Sequence, residues 1–177
     1  MKILAFAGSN SSTSINQQLL NHVLGRIQGH EIKEIKLTEY PLPIFSIDIE
    51  KNEGIPINAT IIKNLIGDSD ALIVAVNEHN GGPSAFFKNI IDWLSRADKN
   101  FLEGKKILLI STSPGKRGAK SSLEYTENIF GRFGGEVVQS FSFPSFKDNF
   151  EDGNVTNEVL DMGIEDVLTT FAHQIED

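Results

Sequence analysis

The sequence contains no cysteine. That absence rules out a disulfide framework, a thiolate nucleophile and a thiolate-held metal. Positive charge is also scarce: 16 lysines and arginines stand against 24 aspartates and glutamates, a formal net charge of −8. Unspecific binding to nucleic acid or to an anionic membrane needs a basic face, so neither is expected as a partner, although a small basic pocket stays compatible with the total. No run approaches eighteen apolar residues, and the first residues lack the long apolar core of a signal peptide. No membrane span is expected, and a cytoplasmic location is. The histidines at 22, 30, 79 and 173 have no ligand spacing, so no metal site is expected. Both common phosphate-loop signatures are missing. Without GxxxxGK[ST] there is no lysine to reach a terminal phosphate, and without GxGxxG a dinucleotide-binding Rossmann turn is not expected.

What is present is an ordinary globular chain of 177 residues, long enough to bury a proper core and expected to form one domain over 1–177. Apolar runs recur with helical stretches between them. Strands are expected at 2–7, 31–37, 71–76, 106–110 and 137–141, the third and fourth apolar without alternation and therefore buried on both faces. Helices are expected at 14–27, from Pro56 to 66, from Pro83 onward, at 119–133 and at 155–175. The third should turn Phe86, Ile90, Trp93 and Leu94 inward and Lys88, Asp92 and Arg96 outward. The last should carry Leu160, Ile164, Val167, Phe171 and Ile175 on one side. Two prolines make residues 40–46 an irregular loop, with Phe45 near its tip either packing on its own sheet or reaching a neighbour's site. Five strands alternating with five helices imply an α/β fold, a parallel sheet covered on both faces, with ligands at the carboxyl ends of its strands.

Three strand-end loops therefore carry the chemistry. The first, Gly8-Ser9-Asn10-Ser11-Ser12-Thr13-Ser14, leads from a buried strand into a helix N-terminus, whose free N–H groups and dipole favour an anion. It reads as a hydroxyl-rich cradle for a monophosphate; the plainer alternative is that these residues only cap the helix. The second, Asn77-Glu78-His79-Asn80-Gly81-Gly82-Pro83-Ser84, has glycines that let backbone approach a flat ligand. Glu78 and His79 invite an acid–base reading, yet neither has a partner in sequence, and a lone loop histidine is more often a packing residue. The third, Ser111-Thr112-Ser113-Pro114-Gly115-Lys116-Arg117-Gly118-Ala119, is the most basic spot near this edge, either steadying a ligand's negative charge or simply a solvated turn.

At these residues the chain resembles the NADPH-dependent FMN reductase family, of flavodoxin-like fold. That family opens with a strand followed by GSxRxxSxN, matched here by Gly8-Ser9-Asn10-Ser11-Ser12-Thr13-Ser14-Ile15-Asn16. Its second loop, P-E-Y-N-G, and the following LKNxIDWLSR helix correspond to Asn77-Glu78-His79-Asn80-Gly81 and Phe87-Lys88-Asn89-Ile90-Ile91-Asp92-Trp93-Leu94-Ser95-Arg96. Its SxSPG element is matched by Ser111-Thr112-Ser113-Pro114-Gly115.

The resemblance implies a three-layer sandwich with five parallel strands in the order 2-1-3-4-5. It implies that Ser9, Ser11, Ser14, Ile15 and Asn16 hold the phosphate of FMN. Asn77, Glu78, His79, Asn80 and Gly81 would border the isoalloxazine, chiefly through main chain, with Ser113 and Gly115 on its other edge. It further implies hydride transfer from NADPH or NADH through FMN to a quinone, free flavin or other small acceptor, with the flavin as the reacting group and no catalytic side chain. A homodimer or homotetramer is implied as well. Two departures stand out: the family's arginine is here Ser11, and its proline and tyrosine are Asn77 and His79. FMN stays the expected cofactor, and the choice between NADH and NADPH stays open. Two other functions fit the same residues: an electron carrier served by a protein partner, and a flavin-free interaction module.

Overall fold

A computed structural model describes residues 1–176. In chain order, β1 (Lys2–Ala7) leads to α1 (Ile15–Leu24), β2 (Glu31–Glu34), a 3-10 turn at Leu37–Glu39, α2 (Ile47–Glu53) and α3 (Ile57–Gly67). Then come β3 (Ala71–Val76), α4 (Ala85–Ala97), β4 (Lys106–Thr112), α5 (Lys120–Arg132) and β5 (Glu136–Phe143). A one-turn α6 (Phe146–Asn149), a hairpin of β6 (Phe150–Glu151) and β7 (Asn154–Val155), and α7 (Glu158–Glu176) follow. The main sheet is parallel throughout, in the order β2-β1-β3-β4-β5. The flavodoxin-like order is therefore confirmed.

Strand periodicity builds two cores from one sheet. Leu4 and Phe6 of β1, Leu72, Val74 and Val76 of β3, and Ile107 and Leu109 of β4 face one side, where Ile62 and Ile66 of α3, Phe87 and Leu94 of α4 and Phe130 of α5 meet them. Their sheet neighbours Ile3, Ala5, Ala7, Ile73, Ala75, Leu108 and Ile110 face the other, against Leu19 and Val23 of α1 and Ile164 and Phe171 of α7. Every residue of β3 is buried, each large aliphatic contributing roughly 1.5–3 kcal/mol. The small Ala5, Ala7, Ala71 and Ala75 are all on the α1 side.

Several boundaries differ from expectation, each for a local reason. In α4 the inward residue is Phe87, with Phe86 half-buried, and Ile91 joins Ile90, Trp93 and Leu94 in the core. Its cap is Ser84, whose Oγ accepts the Phe87 N–H at 3.2 Å, so Pro83 stands just outside the helix. Pro56 likewise occupies the cap position of α3. Helix α7 starts at Glu158, later than expected, because the Asn157 side chain caps it by accepting from Val159 and Leu160 N–H. Leu168 replaces Val167 among its buried residues, with Leu160 and Val167 half-buried beside them. Helices α2 and α6 and the β6–β7 hairpin were not expected.

Residues 40–46 form a strap pinned to α4. Asn89 Nδ2 and Trp93 Nε1 both donate to the Pro43 carbonyl, at 3.0 and 2.7 Å, and the Phe45 N–H donates to Asn89 Oδ1 at 2.8 Å. The Phe45 ring stands edge-on to Trp93, centroids 5.1 Å apart. Phe45 thus packs on its own chain. Among the described residues no helix is long and apolar enough to cross a membrane.

Candidate functional site

The strand order reverses between β1 and β3, and the carboxyl ends of β1, β3 and β4 send their loops to one edge of the sheet. The first loop is anchored before it turns. The Gly8 N–H donates to the Ala75 carbonyl at 2.8 Å, and Ser84 Oγ donates to the Gly8 carbonyl at 3.0 Å. A Cβ on Gly8 would lie 2.6 Å from Phe87 Cγ, so only glycine lets the loop leave β1 over that ring. Beyond it the hydroxyls hold the loop's own N–H groups: Ser9 Oγ accepts from Ser11, and Ser11 Oγ from Thr13, at 3.2 and 3.3 Å. Ser14 is the N-cap of α1, accepting from Gln17 at 3.2 Å. Capping therefore takes one hydroxyl, leaving the others to the loop. The N–H groups of Ile15 and Asn16 have no acceptor among the described residues.

The second loop is a tight turn. His79 and Gly82 exchange main-chain hydrogen bonds at 2.8 and 3.2 Å, with Asn80 and Gly81 between them at φ 52° and 81°. Two successive positive φ values make it a type I′ turn, for which Asn-Gly is the favoured pair. Glu78 is no acid–base candidate in this setting. Its Oε2 accepts the Ser122 N–H at 3.0 Å, so the carboxylate caps the positive end of α5 from a different loop. Ser122 Oγ donates to the Asn77 carbonyl at 2.8 Å, fixing the residue before it. Asn77 itself is 6% exposed, and its Oδ1 is buried without a partner.

The third loop is tied to the first by Asn16. Its Nδ2 donates to the Thr112 carbonyl and its Oδ1 accepts the Thr112 N–H, at 3.1 and 2.9 Å. Farther along, Ser111 and Ser142 hydroxyls donate to the Gly118 carbonyl, at 2.7 and 3.0 Å. A Cβ on Gly118 would come within 2.8 Å of the Phe143 main chain. Arg117 reaches away along α5 to Ser121 Oγ, at 2.9 Å.

The three loops border an open cavity of about 210 Å³. Of the residues singled out in sequence, Ser9, Ser11, Ser14, Ile15 and Asn16 form one wall. Asn77, Glu78 and His79 form the second, and Ser113 the third. Asn80 and Gly81 lie at the exposed turn tip and Gly115 on the exposed third loop, none of them in the wall. Thr13, Thr112 and Pro114 line it as well. Thr112 had no signal, since its strand was expected to end two residues earlier. No lysine or arginine lines the cavity, so the third loop's cations do not replace the family's arginine there. On its other flank the first loop borders a larger hollow of about 520 Å³, bounded by Glu34 and Lys36 near the end of β2. No cluster able to hold a metal ion occurs among the described residues.

Hydroxyl groups and two free N–H groups at a helix start suit a phosphate monoester. A tight turn and an unpartnered carboxamide suit the polar edge of a flat ring attached to it. Comparison with known proteins places the chain in a family. The NADPH-dependent FMN reductase family model matches residues 1–148. The quinone reductase of Escherichia coli (strain K12) is 28% identical over 131 residues, 72% of this chain and 68% of that one. The NADPH:quinone oxidoreductase of Arabidopsis thaliana is 30% identical over 125 residues, 68% of this chain and 62% of that one. Among solved structures, the flavoenzyme NAD(P)H:(acceptor) oxidoreductase FerB from Paracoccus denitrificans superposes with a TM-score of 0.80 at 25% identity, covering 99% of this chain and 97% of that one. Sheet order, loop chemistry and likeness agree: the chain belongs to the NADPH-dependent FMN reductase family, enzymes that pass electrons from NAD(P)H through FMN.

Proposed function

We propose that the three-loop cavity is the FMN site and that the protein reduces quinones or similar small acceptors with NADH or NADPH. The observation that carries this is the convergence of all three loops on one cavity whose donors are hydroxyls and N–H groups. Ser9, Ser11 and the free N–H groups of Ile15 and Asn16 hold the phosphate. Ser14 keeps that helix start in place, and Asn16 keeps the third loop at its distance. Asn77, Glu78 and His79 border the ring, with Ser113 opposite, while Asn80, Gly81 and Gly115 shape the two loops from outside the wall. Bound FMN supplies the hydride chemistry, and the protein supplies position and electrostatics. The whole chain serves as one FMN-binding domain.

Assembly as a homodimer or homotetramer is part of this reading. Large apolar side chains stand exposed on the strap and the two helices after it: Ile44 at 75%, Ile47 at 57% and Ile57 at 71%. Exposed apolar residues on consecutive elements favour covering by another copy. Cytoplasmic residence fits the supply of reduced nicotinamide. The test is the visible spectrum of the purified protein, before and after adding FMN and removing the excess, followed by NADH and NADPH oxidation with a quinone. Bound flavin and steady turnover are expected. A protein colourless in both samples overturns the cofactor site, and a coloured one without nicotinamide turnover is an electron carrier.

A further inference from the structure

We propose that the side chain of Asn77 holds the ring of FMN directly, through a hydrogen-bonding pair at the ring's polar edge. This rests on the reading of the three-loop cavity as the FMN site. The resemblance places a proline at this position in related proteins, so no side-chain polar contact is available to them there.

Asn77 sits where β3 ends, in the cavity wall, more than nine-tenths buried. Its main chain is immobilised from behind: Ser122 Oγ donates to its carbonyl, and the next residue's carboxylate takes the Ser122 N–H. Its carboxamide is idle. Oδ1 is buried with no donor, and Nδ2 makes no hydrogen bond to any described residue. Among the described residues two other buried polar atoms share that condition, His22 Nε2 and His30 Nδ1, but neither residue belongs to this cavity.

Buried polar groups are ordinarily paired, and one left unpaired at a cavity wall marks where a partner is supplied from outside. A carboxamide offers a donor and an acceptor side by side. The pyrimidine edge of an isoalloxazine alternates C=O and N–H in the same way, so the two are complementary. A phosphate has only acceptors, which would leave Oδ1 unanswered. The ring is therefore the matching half of FMN.

The test compares cofactor-free wild type with Asn77→Leu, which keeps the volume and removes both polar atoms, and with Asn77→Ala. Affinity for FMN and for riboflavin is measured by flavin fluorescence quenching, and the Tm of each cofactor-free protein by calorimetry. A ring contact predicts that both flavins weaken by the same factor, roughly tenfold. The Tm of cofactor-free Asn77→Leu stays level or rises, because a buried unpartnered group has been removed. Ser11→Ala, the phosphate-side control, weakens FMN and leaves riboflavin unchanged. Flavin affinities within twofold of wild type in both Asn77 variants overturn the proposal while leaving the FMN site intact. A cofactor-free Tm that falls in both variants assigns the side chain a structural role and overturns it too. A wild-type protein that binds neither flavin removes the FMN site itself, and this inference with it.

Discussion

The Asn16 carboxamide clasps the main chain of Thr112 at both ends, donating to its carbonyl at 3.1 Å and accepting its N–H at 2.9 Å. Both residues are almost fully buried, so neither Thr112 group can turn to water if the clasp is lost. Asn16→Ala should cost about 2–4 kcal/mol, two buried groups being left unpaired. For a chain of this size that lowers Tm by roughly 5–15 °C. Asn16→Asp should not recover the loss, because a carboxylate oxygen would then face the Thr112 carbonyl. A Tm within 2 °C of wild type in the alanine variant would refute the clasp.

Gly8 and Phe87 should behave as one unit. An alanine Cβ at position 8 meets the Phe87 ring at 2.6 Å, and overpacking of a close-packed core costs about 1–3 kcal/mol. Gly8→Ala combined with Phe87→Leu should lose less than the two single changes added together. Urea unfolding of the four proteins in that cycle measures the coupling, and strict additivity would show that the ring simply moves aside.

If Glu78 is a helix cap, its replacement affects stability before turnover. Glu78→Ala should cost about 1 kcal/mol, and Glu78→Gln less, since the amide oxygen still accepts the Ser122 N–H. Turnover by Glu78→Gln should stay within about tenfold of wild type, against losses of 10²–10⁴ on removal of a general acid or base. Steady-state kinetics at saturating FMN decides between them.

Among the described residues no cation lines the cavity wall, so the proposed binding of FMN there should respond little to salt. Raising the salt from 50 to 500 mM should change the Kd for FMN by less than about threefold, screening having little to act on. Ser11→Arg, restoring the family's residue, should tighten binding and make it more salt-dependent. A steep salt dependence in the unmodified protein would mean that Lys116 or Arg117 swings in after all.

Trp93 is the sole tryptophan of the chain and is fully buried under the strap. Trp93→Phe keeps an aromatic ring, smaller than the indole, and removes the hydrogen bond to the Pro43 carbonyl. Residues 40–46 should then exchange their amide hydrogens about tenfold faster, the loss of one bond of roughly 1.4 kcal/mol. Unchanged exchange there would show that Asn89 alone pins the strap.

The parts of the fold visible in the sequence were those written in local patterns. β3 and β4 are unbroken apolar runs because the sheet is covered on both sides, and Asn80-Gly81 announces its turn by composition. Helix α2 escaped because it buries nothing: Ser46 caps it, and Glu50 holds Arg96 on α4 at 2.9 Å, features without an apolar stripe. The shift from Phe86 to Phe87 in α4 followed from a helix beginning at Ala85, after the Ser84 cap and not at Pro83. At the site, the hydroxyl cluster and the three loops were legible. The roles of Asn16 and Glu78 were not, since each is defined by a partner far along the chain, 96 and 44 residues away.

That distance has a consequence for how the protein comes into being. The cradle's first wall is synthesised ahead of the third, and Thr112, which holds the two together, leaves the ribosome 96 residues after Asn16. Between them β1 must pair in parallel with β3, and β3 with β4, by crossovers that carry long loop-closure costs. The cavity is thus a late product of folding, complete only when β4 has docked. If the proposed site holds FMN, flavin colour acquired by a nascent or refolding chain would time the docking of β4, and chains halted before it should remain without flavin however well their first loop is formed.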